Sequence, residues 1–264
     1  MIAIPFTKLH GAENDFLLTW HSDVPASVNL AETARQICAR NTGIGADGWM
    51  LVERAEAGLR TRLFNSDGSE AEISGNGTRC AAAFALRNGV SSPPEVFVTT
   101  AAGDKELLLL RVGGNEYLFE TDMGQPHLEE LRARLDLGGD VFEAVILNVG
   151  NPQCVFLVDQ IPPGWLAVAK EAEQHERFPH RTNVSFVRPV DRHTLEALFF
   201  ERGAGETRSS GTGSTGAAVA AILRKVAESP VEVRTPAGSL SVRWDESVFL
   251  TGPAEVVGEG RFFL

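Results

Sequence analysis

The stretch FERGAGETRSSGTGSTGAAVAA, residues 200–221, is decisive because it repeats an earlier one, FNSDGSEAEISGNGTRCAAAFA, residues 64–85. At a constant offset of 136 residues the two match at Phe64/Phe200, Glu70/Glu206, Ser74/Ser210, Gly75/Gly211, Gly77/Gly213, Ala81/Ala217, Ala82/Ala218 and Ala85/Ala221. An ungapped register through a glycine-rich segment marks two copies of one unit, each about half of the chain. Fainter echoes lie at nearly the same spacing. Asn14 in HGAENDFLLTW answers Asn151 in VGNPQCVFLVD, and Asp47-Gly48-Trp49 answers Asn183-Val184-Ser185.

Each copy reads in the same way. A β-prone run (Arg62-Leu63-Phe64; Leu198-Phe199-Phe200) enters polar turn residues, then Gly-x-Gly, then an alanine-rich segment of high helix propensity. The first such segment meets a good helix stop at Asn88-Gly89. Residues 96–124 read as hairpins, and residues 144–159 as two strands around Asn-Pro. The predicted class is α+β: two pseudo-symmetric halves, each a mostly antiparallel or mixed sheet on one buried alanine-rich helix. The join is expected between Gly113 and Gly124, giving domains of residues 1–118 and 119–264, with the last few residues free to return to the first.

Composition narrows the function. With 264 residues, 43% hydrophobic and 22% charged, the chain matches ordinary globular proteins. A net charge of −11 argues against a nucleic-acid surface. No apolar run approaches the roughly 20 residues of a membrane-spanning helix, and MIAIPFTKLHGAENDF does not read as a signal peptide. A cytosolic protein is expected. Cys38, Cys80 and Cys154 form no CxxC pair and read as packed core residues, and the histidines lack metal-ligand spacing. None of the four lysines (Lys8, Lys105, Lys170, Lys225) stands in a setting for a pyridoxal Schiff base. Neither metal nor cofactor is expected.

Strand, Gly-x-Gly and helix together leave backbone N–H groups pointing out of a helix N-terminus, an arrangement that receives anions. Glycine lets a ligand approach the backbone without meeting a Cβ. One such turn is most often only a turn, and neither copy ends in the Gly-Lys-Ser/Thr of a phosphate loop. Two copies around an interdomain cleft would offer a carbon one hydroxyl on each face, Ser74 and Ser210. That suits removing a proton from one side and returning one on the other, while the helix ends steady a carboxylate.

KLHGAENDF, NTGIGAD, FNSDGSEAEISGNGTRC, GNPQCVF, RTNVSFV and ERGAGETRSSGTGSTGAA follow one another from Lys8 onward. In content and order they resemble the diaminopimelate epimerases, pyridoxal-independent enzymes that share a fold with proline racemase and the phenazine-biosynthesis isomerases. The resemblance implies a sheet wrapped around a central helix in each domain and an amino-acid substrate in the cleft. It also implies a homodimer and the interconversion of LL- and meso-diaminopimelate on the route to lysine and peptidoglycan. Residue by residue it makes Asn14, Asn65, Asn151, Asn183, Glu201 and Arg202 the substrate-holding set. Gly75-Asn76 and Gly211-Thr212 become the donors to the reacting carboxylate. Asparagine offers paired donor and acceptor groups, and arginine a bidentate fork, to such a ligand.

The family's two acid–base thiols fall at Ser74 and Ser210, and its histidine after Asn-Pro falls at Gln153. A free thiol ionises near about 8.5, whereas a serine hydroxyl is far weaker and needs an adjacent base. By resemblance, Glu201 lies near Ser210 and is the candidate base. Three readings stay open here. Cys-to-Ser inactivation leaves Gln153 unaccounted for. A serine variant of the epimerase would use Glu201. A divergent member would isomerise, racemise or dehydrate another amino acid, or bind one without catalysis.

Overall fold

The computed structural model describes residues 2–71 and 74–264. Two units divide it: unit 1 runs to Thr121 and includes Gly252–Leu264, and unit 2 is Asp122–Thr251. Unit 1 contains β1 (Ala3–Gly11), β2 (Asn14–Trp20), α1 (Leu30–Cys38), β3 (Gly48–Ala55), β4 (Gly58–Asn65) and β5 (Glu70–Ala71). It continues through α2 (Gly75–Arg87), β6 (Glu95–Thr100), β7 (Gly103–Gly113) and β8 (Glu116–Asp122). Unit 2 contains β9 (His127–Leu137), β10 (Asp140–Asn148), β11 (Pro152–Leu157), α3 (Trp165–Glu173), β12 (Asn183–Asp191) and β13 (Thr194–Glu201). It ends with β14 (Gly205–Thr207), α4 (Gly211–Leu223), β15 (Val231–Thr235), β16 (Gly238–Trp244) and the start of β17 (Val248–Phe263).

The strand order is the same in both. Unit 1 pairs β17–β1–β2–β3–β4–β6–β7–β8, with β2–β3 and β4–β6 parallel and β17–β1, β1–β2, β3–β4, β6–β7 and β7–β8 antiparallel. Unit 2 pairs β9–β10–β11–β12–β13–β15–β16–β17, with β11–β12 and β13–β15 parallel. The sheets are therefore mixed, and the α+β class with two similar halves holds.

Alanine and glycine decide what fills each sheet. Residues Asn76–Ala85 of α2 are all buried. A helix apolar on every side belongs in a core, and small side chains let strands approach it closely. The core around α2 draws on Leu9, Leu18, Val52, Leu63, Val98, Leu107, Phe119 and Val256, one residue each from β1–β4, β6–β8 and β17. The sheet wraps the helix. In α4, residues Gly213–Ala221 are buried in the same manner.

The outer sheet faces carry smaller helices. α1 covers Leu17, Trp49, Leu51 and Phe64, while α3 covers Ala133, Leu135, Phe156 and Phe186. Cys38, Cys80 and Cys154 are buried free thiols in these cores. Burial pushes Cys38 and Cys80 up to about 12, and Cys154 higher still, so none is a reactive thiolate at neutral pH.

Candidate active site

Both central helices are capped by the serines that the repeat singles out. Ser74 has extended backbone, φ −132° and ψ 123°, and its Oγ accepts from Gly77 N at 3.1 Å. Its carbonyl takes Thr78 N and Thr78 Oγ1, both at 2.8 Å. Gly75 and Asn76 thus open the helix with N–H groups that have no intrahelical acceptor. A Cβ built on Gly75 would meet nothing within 4 Å, so that side of the turn is open to a ligand.

Around this start, Asn76 Nδ2 donates to Asn14 Oδ1 at 3.3 Å, and Asn14 Nδ2 donates to Asp47 Oδ2 at 2.7 Å. Arg40 forks onto Asp15 at 2.8 and 3.0 Å and reaches Asp47 Oδ1 at 2.7 Å, and Lys8 Nζ sits 2.9 Å from Asp15 Oδ2. Burial by itself would raise the Asp15 carboxyl. The hydrogen bonds from Arg40 and Lys8 outweigh it and hold the group below the usual carboxylate range. Asn14 is thereby fixed by a closed set of charges. Asn65, at the end of β4, is exposed and donates from Nδ2 to Ser69 Oγ at 3.0 Å.

The start of α4 repeats the cap with different chemistry. Ser210, φ −139° and ψ 125°, accepts from Gly213 N at 3.0 Å. Its Oγ also donates to Glu201 Oε2 at 3.1 Å, while Thr207 Oγ1 donates to Glu201 Oε1 at 2.7 Å. Burial pushes the Glu201 carboxyl up, against these two hydrogen bonds. A raised carboxylate holding a hydroxyl proton is a base poised on Ser210.

Asn151 Nδ2 donates to Thr212 Oγ1 at 3.2 Å, and its Oδ1 accepts from Gln153 Nε2 at 2.7 Å. Gln153 is fully buried, packed so that a Cβ on Gly216 would lie 3.0 Å from its Cγ. Its one side-chain hydrogen bond among the described residues goes to Asn151. Asn183 donates to Pro152 O at 3.0 Å and accepts the Arg202 backbone N–H at 3.0 Å, and Arg202 Nη1 reaches His180 O at 3.2 Å.

In unit 1 the structure gathers Asn14, Gly75 and Asn76 beside Ser74. In unit 2 it gathers Glu201 on Ser210, and Asn151 and Gln153 on Thr212. Two residues that sequence reasoning passed over belong to this picture. Asp47 receives Asn14, and the fully buried Arg79 donates to Asn76 Oδ1. Asp47 lay inside NTGIGAD, so a signal existed. For Arg79, one helix position in an alanine run, the only hint was a charge where every neighbour is small. Among the described residues no group of three His, Cys, Asp or Glu side chains could hold a metal ion.

Solved structures with this architecture define a class of doubled, helix-in-sheet proteins. The chain is similar to a PhzF-family phenazine biosynthesis protein of Bacillus anthracis, with TM-score 0.74 and 15% identity, 100% of each chain being covered. It is similar too to a hydroxyproline epimerase of Agrobacterium vitis, with TM-score 0.69, 16% identity and 99% and 91% coverage. At such identities the likeness is one of fold. Sequence comparison goes further. A family model described as diaminopimelate epimerase matches residues 6–129 and 145–257. Diaminopimelate epimerases of Moorella thermoacetica and Aromatoleum aromaticum are 39% and 36% identical, covering 97% and 98% of this chain and 98% and 99% of theirs. The chain belongs to the diaminopimelate epimerase family.

Proposed function

We propose that this chain is an isomerase that epimerises diaminopimelate, LL to meso, by moving a proton at the α-carbon without a cofactor. Family membership supports the substrate, and one observation supports the chemistry: each central helix begins at a serine cap next to open backbone donors. In this reading one acid–base position takes the α-proton as the carboxylate end gathers negative charge against a helix start. The other position then returns a proton to the opposite face. The ligand-holding set of this reading is Asn14, Asn65, Gly75, Asn76, Asn151, Gln153, Asn183, Glu201, Arg202, Gly211 and Thr212. The reading extends to a cytoplasmic homodimer with no nucleic-acid partner.

Serine at both positions slows the reaction and makes it one-sided. Both hydroxyls accept as helix caps, and among the described residues only Ser210 also donates to a carboxylate, Glu201. Incubation with LL- or meso-diaminopimelate in heavy water, followed by α-deuteration, tests this. Slow exchange that favours one isomer is expected, and Ser74→Cys with Ser210→Cys should accelerate it. Equal, fast exchange from both isomers overturns the asymmetry. Binding by calorimetry with no exchange even in the double variant replaces the enzyme with an amino-acid-binding protein.

A further inference from the structure

The 136-residue offset aligns Arg79 with Thr215 and Asn65 with Glu201, so the two helix starts carry opposite charges. Arg79 is 1% exposed and makes three hydrogen bonds, all to neutral acceptors. Nε donates to Pro253 O at 3.1 Å, Nη1 to Gly75 O at 3.4 Å, and Nη2 to Asn76 Oδ1. Among the described residues no carboxylate pairs with it, and burial depresses the guanidinium to about 10. Burying a cation without a counter-ion is costly, and a fold that keeps one beside an open helix start has a use for its charge.

Among the described residues, the other charges around α2 pair with one another or are exposed. Lys8 and Arg40 face Asp15 and Asp47; His10 on β1 meets Glu255 at 3.4 Å; Arg87 meets Glu259 at 3.0 Å; Arg62 meets Glu70 at 2.7 Å. Glu13, Arg60, Glu95, Asp104, Glu106 and Arg111 are exposed, Lys105 is partly so, and Cys80 is a buried thiol on the helix itself. The helix dipole adds to Arg79 with the same sign.

We propose that Arg79 is the positioning cation of the first helix start: held beneath Gly75 and Asn76 with no carboxylate partner among the described residues, it makes that start the receptor for negative charge and fixes the amide that orients Asn14. The second start, with Thr215 in the aligned place and Glu201 on Ser210, is tuned to hold a proton. The two positions 74 and 210 are thus unequal by construction. The inference rests on the proposed proton-transfer role of those positions, but its test needs no turnover.

Single Ser74→Cys and Ser210→Cys variants carry the reporter, since the three native thiols are buried. Alkylation by iodoacetamide is followed against pH. The midpoint for Ser74→Cys should lie below that for Ser210→Cys. Adding Arg79→Met should raise the first by about one pH unit or more and leave the second in place, and Arg79→Lys should restore most of the shift. An unmoved Ser74→Cys midpoint in folded Arg79→Met, or an equal movement of both thiols, overturns the proposal. Should Arg79→Met not fold, Arg79→Gln removes the charge and keeps amide donors in its place. A raised Ser74→Cys midpoint then supports the proposal and an unchanged one overturns it. Midpoints as expected in a chain that neither binds nor exchanges diaminopimelate would keep Arg79 and remove only the function reading.

Discussion

Glu201 shows what burying a carboxylate costs the fold. Its two oxygens accept from Ser210 and Thr207, yet burial outweighs them and raises its ionisation. Unfolded, a glutamate ionises near about 4.3. Because the folded value is higher, the group favours the fold most below that pH, and this contribution fades as pH rises through the folded value. Urea melts across pH should therefore show the native chain losing stability relative to Glu201→Gln as pH rises from about 4.3 through the raised folded value, with a level difference beyond it. A difference that grows in favour of the native chain over that window contradicts the assignment. At the α-carbon, Glu201→Gln should lower deuterium exchange at least about a hundredfold, as expected when a positioned base is removed.

At the scale of elements, the serine caps and the glycines that follow them act on the fold in unequal ways. Both central helices are 13 residues long and begin on a serine cap, so Ser74→Ala and Ser210→Ala should each cost about 1 kcal/mol in denaturant melts. The glycines that follow are not equivalent. A Cβ on Gly213 would stand 2.7 Å from Phe199 Cδ1, so Gly213→Ala should destabilise by about 1–3 kcal/mol. Gly75 has no such neighbour: Gly75→Ala should stay within about 0.5 kcal/mol in stability and lose about tenfold or more in diaminopimelate affinity by calorimetry. These helices were legible in the sequence because their signals are local: an alanine run after Gly-x-Gly, and for the first a stop at Asn88, where the structure caps α2. The outer helix α1 escaped notice although Asn29 Oδ1 accepts from Glu32 N at 3.1 Å, a cap that the sequence does spell. α3 starts at Gly164 with no side-chain cap and gave less to read. Parallel pairing such as Phe16 with Gly48 was not visible, since only long-range packing creates it. The charge of Arg79 was visible but its burial was not, because an arginine on a helix ordinarily reads as solvated.

At the scale of the molecule, the repeat makes two cores from one plan, and the chain must cross between them to complete the plan. β17 begins in unit 2, where Ser241 to Trp244 of β16 pair with Thr251 to Val248. It finishes in unit 1, pairing with β1 from Ala3↔Phe263 to His10↔Glu255. Its Ala254 and Val256 enter the core around α2, and its Pro253 carbonyl accepts from Arg79. Unit 1 therefore depends on its last strand in three ways: ladder hydrogen bonds, apolar packing and the satisfaction of a buried cation. Unit 2 takes only Val248–Thr251 from the same strand. Removing Gly252–Leu264 should consequently act unevenly, exposing one edge of β1 and leaving the Arg79 Nε–H without its acceptor. Hydrogen exchange read by mass spectrometry should show β1 and α2 losing protection while β10–β13 and α4 retain theirs. Equal loss in both units would mean that the two cores unfold as one, and undiminished protection of β1 would mean that β2 alone suffices to hold it.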